Sequence, residues 1–178
     1  KIQGVRNSGA ASTTGIAGIR MTHTVTGTHT IRVFNNAVSE ITSGYTGAAS
    51  AARTLKGIFV NGAGGATTQT YEIYNNNVSI DGSASLNLSS TCFEVNSTVG
   101  PLYKLGNNIF ANYTAAQGAT SKHFAIVSSS ATVFGPAGTT SNNNNFYVPN
   151  DIGTSGFVGG AAANYNTVAT WAAAMTPA

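Results

Sequence analysis

Short stretches in which apolar and polar residues alternate recur along the chain, separated by runs of Gly, Asn, Ser and Thr. The stretch 70–81 (TYEIYNNNVSID) shows this alternation, then three asparagines, then renewed alternation. A period of two predicts β-strands with one buried face, whereas asparagine is uncommon in strands. The pattern predicts an all-β chain and raises the question of what the asparagines do.

The asparagine motif occurs in three clear copies and one degenerate copy. Residues 31–38, 71–78 and 103–110 each carry two alternating apolar residues followed by an Asn-Asn pair. A fourth copy lies in the asparagine run 142–145. Taking Asn144 as its first asparagine gives spacings of 40, 32 and 37 residues between copies. A repeat of this length predicts that equivalent strands stack on one another.

A second alternating strand lies between the asparagine copies, at 18–21, 57–60, 92–95 and 123–126. Aligning Ile19, Ile58, Phe93 and Phe124 gives spacings of 39, 35 and 31 residues. Two short strands in each repeat and no helix predict a solenoid of parallel sheets. The predicted inward-facing residues are Ile19, Met21, Ile31, Val33, Ile58, Val60, Tyr71, Ile73, Phe93, Val95, Tyr103, Leu105, Phe124 and Ile126.

The Gly-Ile-x-Val strand followed by an Ile-x-Asn-Asn-x-Val strand resembles the repeats of right-handed parallel β-helix proteins, most closely the secreted or cell-surface type found in Bacteroidetes. The segments 143–147 and 165–174 are similar to the last coil of such domains, where a short helix carrying Trp171 follows. The resemblance implies one domain over 1–178, with four to five coils at about 15–148 and a C-terminal segment at 149–178. It implies little about function.

Asparagine tolerates the left-handed backbone conformation and can satisfy polar groups at a bend. Stacked asparagines can also bond amide to amide, as in cross-β ladders. We therefore predict a structural ladder rather than a ligand-binding row. Such a ladder can be formed by Asn35, Asn75 and Asn107, and equally by their successors Asn36, Asn76 and Asn108. The predicted register also places Arg32, Glu72 and Lys104 in one outward row of alternating charge.

The composition excludes several classes of partner. The chain is 42% hydrophobic but only 7% charged, and its net charge of +3 comes from scattered residues rather than a basic patch. We therefore expect no nucleic-acid partner. No apolar run approaches the roughly 18 residues of a membrane span, so no membrane insertion is expected. The single cysteine, Cys92, excludes an internal disulfide and is expected to be buried. This uncharged, hydroxyl-rich and amide-rich composition suits an extracellular or cell-surface protein.

Only five acidic residues are available for chemistry. Glu40 and Asp81 each follow an Asn-Asn-x-Val copy and are the weak candidates for a hydrolytic pair, with turn residues the favoured interpretation. Glu94 is expected to face outward between Phe59 and Ala125, with no acid beside it. The three histidines do not have metal-ligand spacing, and no cofactor or metal is expected.

We therefore favour a noncatalytic extracellular structural module, such as a stalk, an adhesin segment or a filament subunit. The N-terminal strand predicted at 1–5 has no predicted cap. The chain is then either one segment of a longer solenoid or stacks end to end on other copies of itself. The alternative is a carbohydrate-binding or polysaccharide-cleaving domain that binds glycans through Tyr45, Tyr113 and Tyr147 together with the few acids.

Overall fold

The structure is a computed structural model of the 178-residue chain. It describes residues 1–7, 15–23, 27–48, 50–62, 69–81, 88–96, 101–115, 121–128, 133–134, 138–149, 158–159, 164–165, 167, 169–170 and 173.

The described residues form sixteen β-strands. In chain order these are β1 (Arg6–Asn7), β2 (Ile16–His23), β3 (His29–Phe34), β4 (Ala37–Val38), β5 (Thr42–Ser43), β6 (Ser50–Gly62), β7 (Gln69–Tyr74), β8 (Asn77–Ile80), β9 (Leu88–Asn96), β10 (Leu102–Gly106), β11 (Ile109–Asn112), β12 (His123–Ser128), β13 (Thr140–Asn142), β14 (Asn145–Tyr147), β15 (Val158–Gly159) and β16 (Asn164–Tyr165). The predicted all-β class is confirmed.

Three mainly parallel sheets account for most of these strands. Sheet I has the order β16-β15-β12-β9-β6-β2, sheet II the order β13-β10-β7-β3, and sheet III the order β14-β11-β8-β4. Within each sheet, strands from successive sequence repeats are neighbours and pair in parallel, except for the antiparallel pair β15–β16. The short strands β1 and β5 form a separate parallel pair.

Each repeat contributes three strands rather than the predicted two. The stretch 31–38 was expected to form one strand that turns at its asparagine pair. It is divided at Asn35 into β3 and β4, which belong to different sheets, and the later copies are divided in the same way. The reason is local, because the first asparagine of each pair has a left-handed φ of 54–57° that turns the chain out of one sheet and into the next.

The register of the first three repeats is as the sequence predicts. Ile19 pairs with Ile58, which pairs with Phe93 in sheet I. In sheet II, Val33 pairs with Ile73, which pairs with Leu105. Both predicted frames for the fourth repeat are wrong, by two residues in sheet I and by one at the asparagines.

In sheet I, the residue opposite Phe93 is Ile126, and Phe124 lies opposite Thr91. Phe124 is buried, at 4% exposure, but does not belong to the main hydrophobic cluster. At the asparagines, Asn143 is the residue with φ 54° and takes the place of Asn107. Phe146 then lies opposite Phe110, with the ring centroids 5.9 Å apart.

One hydrophobic cluster receives side chains from all three sheets. Sheet I contributes Ile58 and Phe93, sheet II contributes Ile73, and sheet III contributes Val78 and Phe110, all with zero exposure. Equivalent residues stack along the cluster: the rings of Tyr71 and Tyr103, which pair in sheet II, lie parallel with centroids 5.3 Å apart. Burial of these side chains is the main stabilising contribution to the fold.

Sheets I and III approach closely at a column of small residues. A Cβ added to Gly57 would collide with the Val78 side chain and would lie 2.5 Å from the carbonyl oxygen of Cys92. A Cβ on Gly18 would likewise collide with Val38. Cys92 itself is buried, as predicted, and burial raises the pKa of its thiol. The small side chains let the valines of sheet III pack against the backbone of sheet I.

The N-terminal segment differs from the strand expected there, whereas the described C-terminal residues include helical ones, as predicted. Near the N-terminus only Ile2 bridges to Val38, and the first strand, β1, follows it. Near the C-terminus, residues 169–170 and 173 are helical, and the Thr167 hydroxyl accepts a hydrogen bond of 3.1 Å from the backbone N–H of Thr170, as an N-cap does. The other residues of the predicted helix, including Trp171, lie outside the described residues, as does Asp151.

Candidate functional site

The second asparagine of each pair forms a ladder of side-chain amides. The Nδ2 group of Asn36 donates to Oδ1 of Asn76 at 3.1 Å, Asn76 donates to Asn108 at 3.0 Å, and Asn108 donates to Asn144 at 2.8 Å. Each accepting Oδ1 also accepts a hydrogen bond of 3.0–3.1 Å from the backbone N–H of the same asparagine whose side chain donates to it. Each rung therefore satisfies both backbone and side-chain groups between neighbouring repeats.

The ladder is also bonded to sheet II. The second N–H of the Asn76 amide donates to the carbonyl of Val33 at 2.9 Å, and that of Asn108 donates to Ile73 at 2.8 Å. Both amides are 1% exposed, so water cannot replace these partners. A side chain at these positions that lacked either a donor or an acceptor would leave a backbone group without this partner.

The first asparagine of each pair has a different role. Asn35, Asn75 and Asn107 are exposed, and the amide bonds between repeats are made by their successors. This corrects the expectation that both sets would bond amide to amide along the stack. The physical reason is that the left-handed turn at the first asparagine points its side chain outward and the next side chain inward.

The ladder has a direction and two different ends. At one end, Oδ1 of Asn36 accepts no hydrogen bond from the described residues, and its Nδ2 folds back onto the carbonyl of Phe34 at 3.0 Å. At the other end, the backbone N–H of Asn144 donates to no described group, and its Nδ2 bonds to Ser141 Oγ within its own repeat at 3.1 Å. An acceptor is thus open at one end and a donor at the other.

The edge strands beside these two ends are exposed. Sheet II ends in β3 on one side and β13 on the other. All three residues of β13 are exposed, and in β3 only Val33 is buried. Parallel strands with unpaired edges of this kind can accept a further strand.

The predicted row of alternating charge on sheet II is confirmed. Arg32 Nε lies 2.8 Å from one Glu72 carboxylate oxygen, and Lys104 Nζ lies 3.5 Å from the other. These two cations, the guanidinium of Arg32 foremost, lower the pKa of Glu72. The row ends at Thr140, which pairs with Lys104 on edge strand β13.

The residues considered for catalysis are not brought into a recognisable site. Glu40 and Asp81 are both exposed, and no hydrogen bond or ion pair joins them in the structure. Glu40 has a left-handed φ of 56°, so it occupies a turn. No group of three or more potential metal ligands occurs among the described residues.

The three tyrosines considered for glycan binding are separated by their burial. Tyr45 is buried and donates its hydroxyl hydrogen bond to the carbonyl of Ala48 at 3.0 Å. Tyr113 and Tyr147 are 44% and 46% exposed, and their rings meet edge to face with centroids 5.7 Å apart. Only the last two contribute to an exposed aromatic surface.

Glu94 is buried rather than exposed, contrary to expectation, and it lies between Phe59 and Val127 rather than beside Ala125. Its Oε1 lies 2.9 Å from Lys56 Nζ and its Oε2 lies 3.1 Å from Arg53 Nε. The carboxylate thus neutralises two cations of the preceding repeat in the covered outer part of sheet I. The isolated acid on β9 was visible in the sequence, but the burial that gives it this role was not.

His123 belongs to a second buried polar cluster. Its Nδ1 lies 2.8 Å from Ser90 Oγ, which also accepts a hydrogen bond of 2.9 Å from Asn112 Nδ2. Burial lowers the pKa of His123 to about 4, against a smaller opposing contribution from the backbone of Ala115. All three side chains are 0% exposed. The cluster resembles a serine–histidine pair, but a substrate has no access to it.

Comparisons with models of known protein families, with curated proteins and with solved structures returned no match. The described part of the chain contains no helix with the length and hydrophobicity of a membrane-spanning segment.

Proposed function

We propose that the chain is a noncatalytic structural module of the right-handed parallel β-helix type, located outside the cell or at its surface, whose copies associate end to end. The fold part of the proposal is supported by three sheets that repeat with the same period and share one core. The location is supported by a surface with little charge, since only 7% of residues are charged.

The observation that carries end-to-end association is the polarity of the asparagine ladder. Asn144 at one end offers a backbone N–H, and Asn36 at the other offers Oδ1. A second copy placed in the same register would bring these groups together and would repeat the bonds seen between Asn108 and Asn144. The Nδ2 of the incoming Asn36 would then reach the carbonyl of Ser141, the register equivalent of Leu105.

The charge row gives the same junction a second, testable contact. Arg32, Glu72 and Lys104 alternate in sign, and Thr140 is the last residue of the row. In a head-to-tail stack, Thr140 of one copy would face Arg32 of the next. A heterologous contact of this kind does not close on itself, so it leads to filaments rather than dimers.

The test is the concentration dependence of assembly, measured by analytical ultracentrifugation and negative-stain electron microscopy. Thr140→Glu places a carboxylate between Lys104 and the next copy's Arg32, so we expect longer assemblies than for the unmodified chain. Thr140→Lys places like charges together, and we expect shorter ones. Both effects should weaken with added salt, because the pairs are exposed.

The matched control is the double variant Thr140→Glu with Arg32→Glu. It keeps the new carboxylate next to Lys104 within one chain but makes the junction repulsive, so assembly should fall below that of Thr140→Glu alone. Monomers at every concentration for both the unmodified chain and Thr140→Glu would overturn end-to-end association. Assembly that ignores both charge changes would overturn this junction.

A further inference from the structure

A cavity of about 290 Å³ opens on the outer face of sheet I, at edge strand β2. It is lined by Gly15, Ile16, Ala17, Arg20, Lys56 and Phe59. The volume is at the small end of ligand pockets, which usually exceed roughly 300 Å³. A molecule the size of one ring with one substituent is the largest that such a space would enclose.

The register of sheet I explains why these side chains meet. Arg20 pairs with Phe59, and Ala17 pairs with Lys56, on the neighbouring strands β2 and β6. Ile19 and Ile58, between these positions, face the core. The cavity therefore has a floor made of two hydrogen-bonded strands, and it does not depend on a flexible loop.

The charges around the cavity do not balance. Glu94 supplies one negative charge, and both of its oxygens are already bonded, to Lys56 and Arg53. Arg20 is exposed and has no carboxylate partner among the described residues. Its guanidinium lies 5.7 Å from the centroid of the Phe59 ring. Three cations, Lys56, Arg53 and Arg20, thus surround the single carboxylate of Glu94. Lys56 and Arg53 are bonded to it, and Arg20 is not.

Phe59 and Lys56 hold the cavity wall in place. Lys56 Nζ lies 3.7 Å from the centroid of the Phe59 ring and 2.9 Å from Glu94. The lysine is held by the acid and the ring together, which leaves its side chain little freedom. Arg20 has no such second anchor, so its fork of N–H donors remains available to a ligand.

We infer that this cavity binds a small organic carboxylate, with the anion on Arg20 and an apolar body against Ile16 and Phe59. A single unpaired guanidinium suits a monoanion, and the apolar walls suit a carbon skeleton rather than a bare inorganic ion. All lining residues come from one chain, so the inference does not depend on end-to-end association.

The experiment is a titration followed by two-dimensional amide NMR, with benzoate as the probe, benzamide as its uncharged counterpart and inorganic phosphate as a bare anion. We expect benzoate to shift amides of 15–20 and 56–59, and benzamide and phosphate to bind at least about tenfold more weakly. Arg20→Gln should weaken benzoate binding about tenfold or more and leave benzamide unaffected. Arg6→Gln, which removes an exposed cation on β1 outside sheet I, should change neither.

Three results would overturn the inference. Equal binding of benzoate and benzamide would mean that the cavity selects apolar bodies without regard to charge. Binding of phosphate as strong as that of benzoate would mean that a cationic surface attracts any anion. Absence of benzoate-induced shifts at 15–20 and 56–59, with the Arg20→Gln spectrum showing an intact fold, would mean that the cavity is not a carboxylate site.

Discussion

The amide ladder makes a sharp prediction at Asn76, its most central buried member. Replacing Asn76 with Ala removes the donor to the carbonyl of Val33 and the acceptor of the backbone N–H of Asn36. It also removes the two amide-to-amide bonds, with Asn36 and Asn108. A buried group left without a partner costs about 1–3 kcal/mol. Two such backbone groups give a destabilisation of about 2–6 kcal/mol, and the partial burial of one of them favours the lower half of this range.

A loss of this size is a large part of the stability of a domain, which is typically about 5–15 kcal/mol. Equilibrium urea unfolding followed by circular dichroism would measure it as a lower midpoint. Asn76→Asp should be at least as damaging as Asn76→Ala, although it keeps the shape. Its carboxylate would face the oxygens of Val33 and Asn108, which the amide nitrogen now contacts at 2.9 and 3.0 Å.

The neighbouring asparagines supply matched controls. Asn77 is exposed, so Asn77→Ala should change the free energy of unfolding by less than about 0.5 kcal/mol. Asn75 has a φ of 55°, which glycine adopts without strain, so Asn75→Gly should be close to neutral. Asn76→Gly should cost as much as Asn76→Ala. If the Asn76 variants unfold within about 1 kcal/mol of Asn77→Ala, the ladder does not stabilise the fold and the reasoning fails.

Three further predictions concern other parts of the core. Gly57→Ala should destabilise the protein by roughly 3 kcal/mol, the upper range for overpacking. Adding Val78→Ala should recover part of this loss in thermal unfolding, because the Val78 side chain occupies the space of the new methyl group. Because burial lowers the pKa of His123 from 6.5 to about 4, the unfolded chain takes up the proton first as the pH falls. The contribution of this histidine to the free energy of unfolding is complete above about pH 6.5 and falls by roughly 3 kcal/mol toward pH 4. Urea unfolding at pH 7 and pH 4.5 should show a drop in stability that His123→Gln removes. An unchanged drop in the variant would contradict this prediction. Glu94→Gln should lower the free energy of unfolding by about 2 kcal/mol, since it leaves a largely buried lysine without its acid. Glu72→Gln, at an exposed pair, should change the free energy of unfolding by less than about 1 kcal/mol. Equal losses for the two variants would contradict the argument from burial.

The register of the first three repeats could be read from the sequence because each strand carried two apolar residues at fixed offsets. The fourth repeat lacked that support. Four consecutive asparagines allow several frames, and only the ring of Phe146 against Phe110 selects the one that places Asn143 at the turn. In sheet I, Ala125 continues the small residues at Gly57 and Cys92, and alignment on small size would have given the correct register.

The third sheet was not predicted because its cause is a single backbone angle. The buried apolar positions are Tyr71 and Ile73 before the asparagines and Val78 and Ile80 after them, so the phase of the alternation shifts by one residue there. A bend was predicted at this point but within one strand, and so the change of sheet was missed. The burial of Glu94 was missed for another reason. Alternation assigns it to the outer face of β9, but β9 is buried on both faces from Leu88 to Val95. Burial of the outer face of β9 depends on parts of the chain distant in sequence, so the local pattern of apolar and polar residues does not reveal it.

The positions of the acidic residues bear on why a structural role is favoured over a catalytic one. Glu72 and Glu94 each bridge two cations from other strands, so neither carboxylate is available to bind a substrate. Glu40 and Asp81 are exposed and not joined to each other, while glycoside hydrolysis by two carboxylates needs a pair at a fixed separation. The described chain therefore uses its best-placed acids to hold strands in register. Arg20, which has no acid partner among the described residues, lies at a cavity, and for that reason ligand binding is more consistent with this surface than turnover.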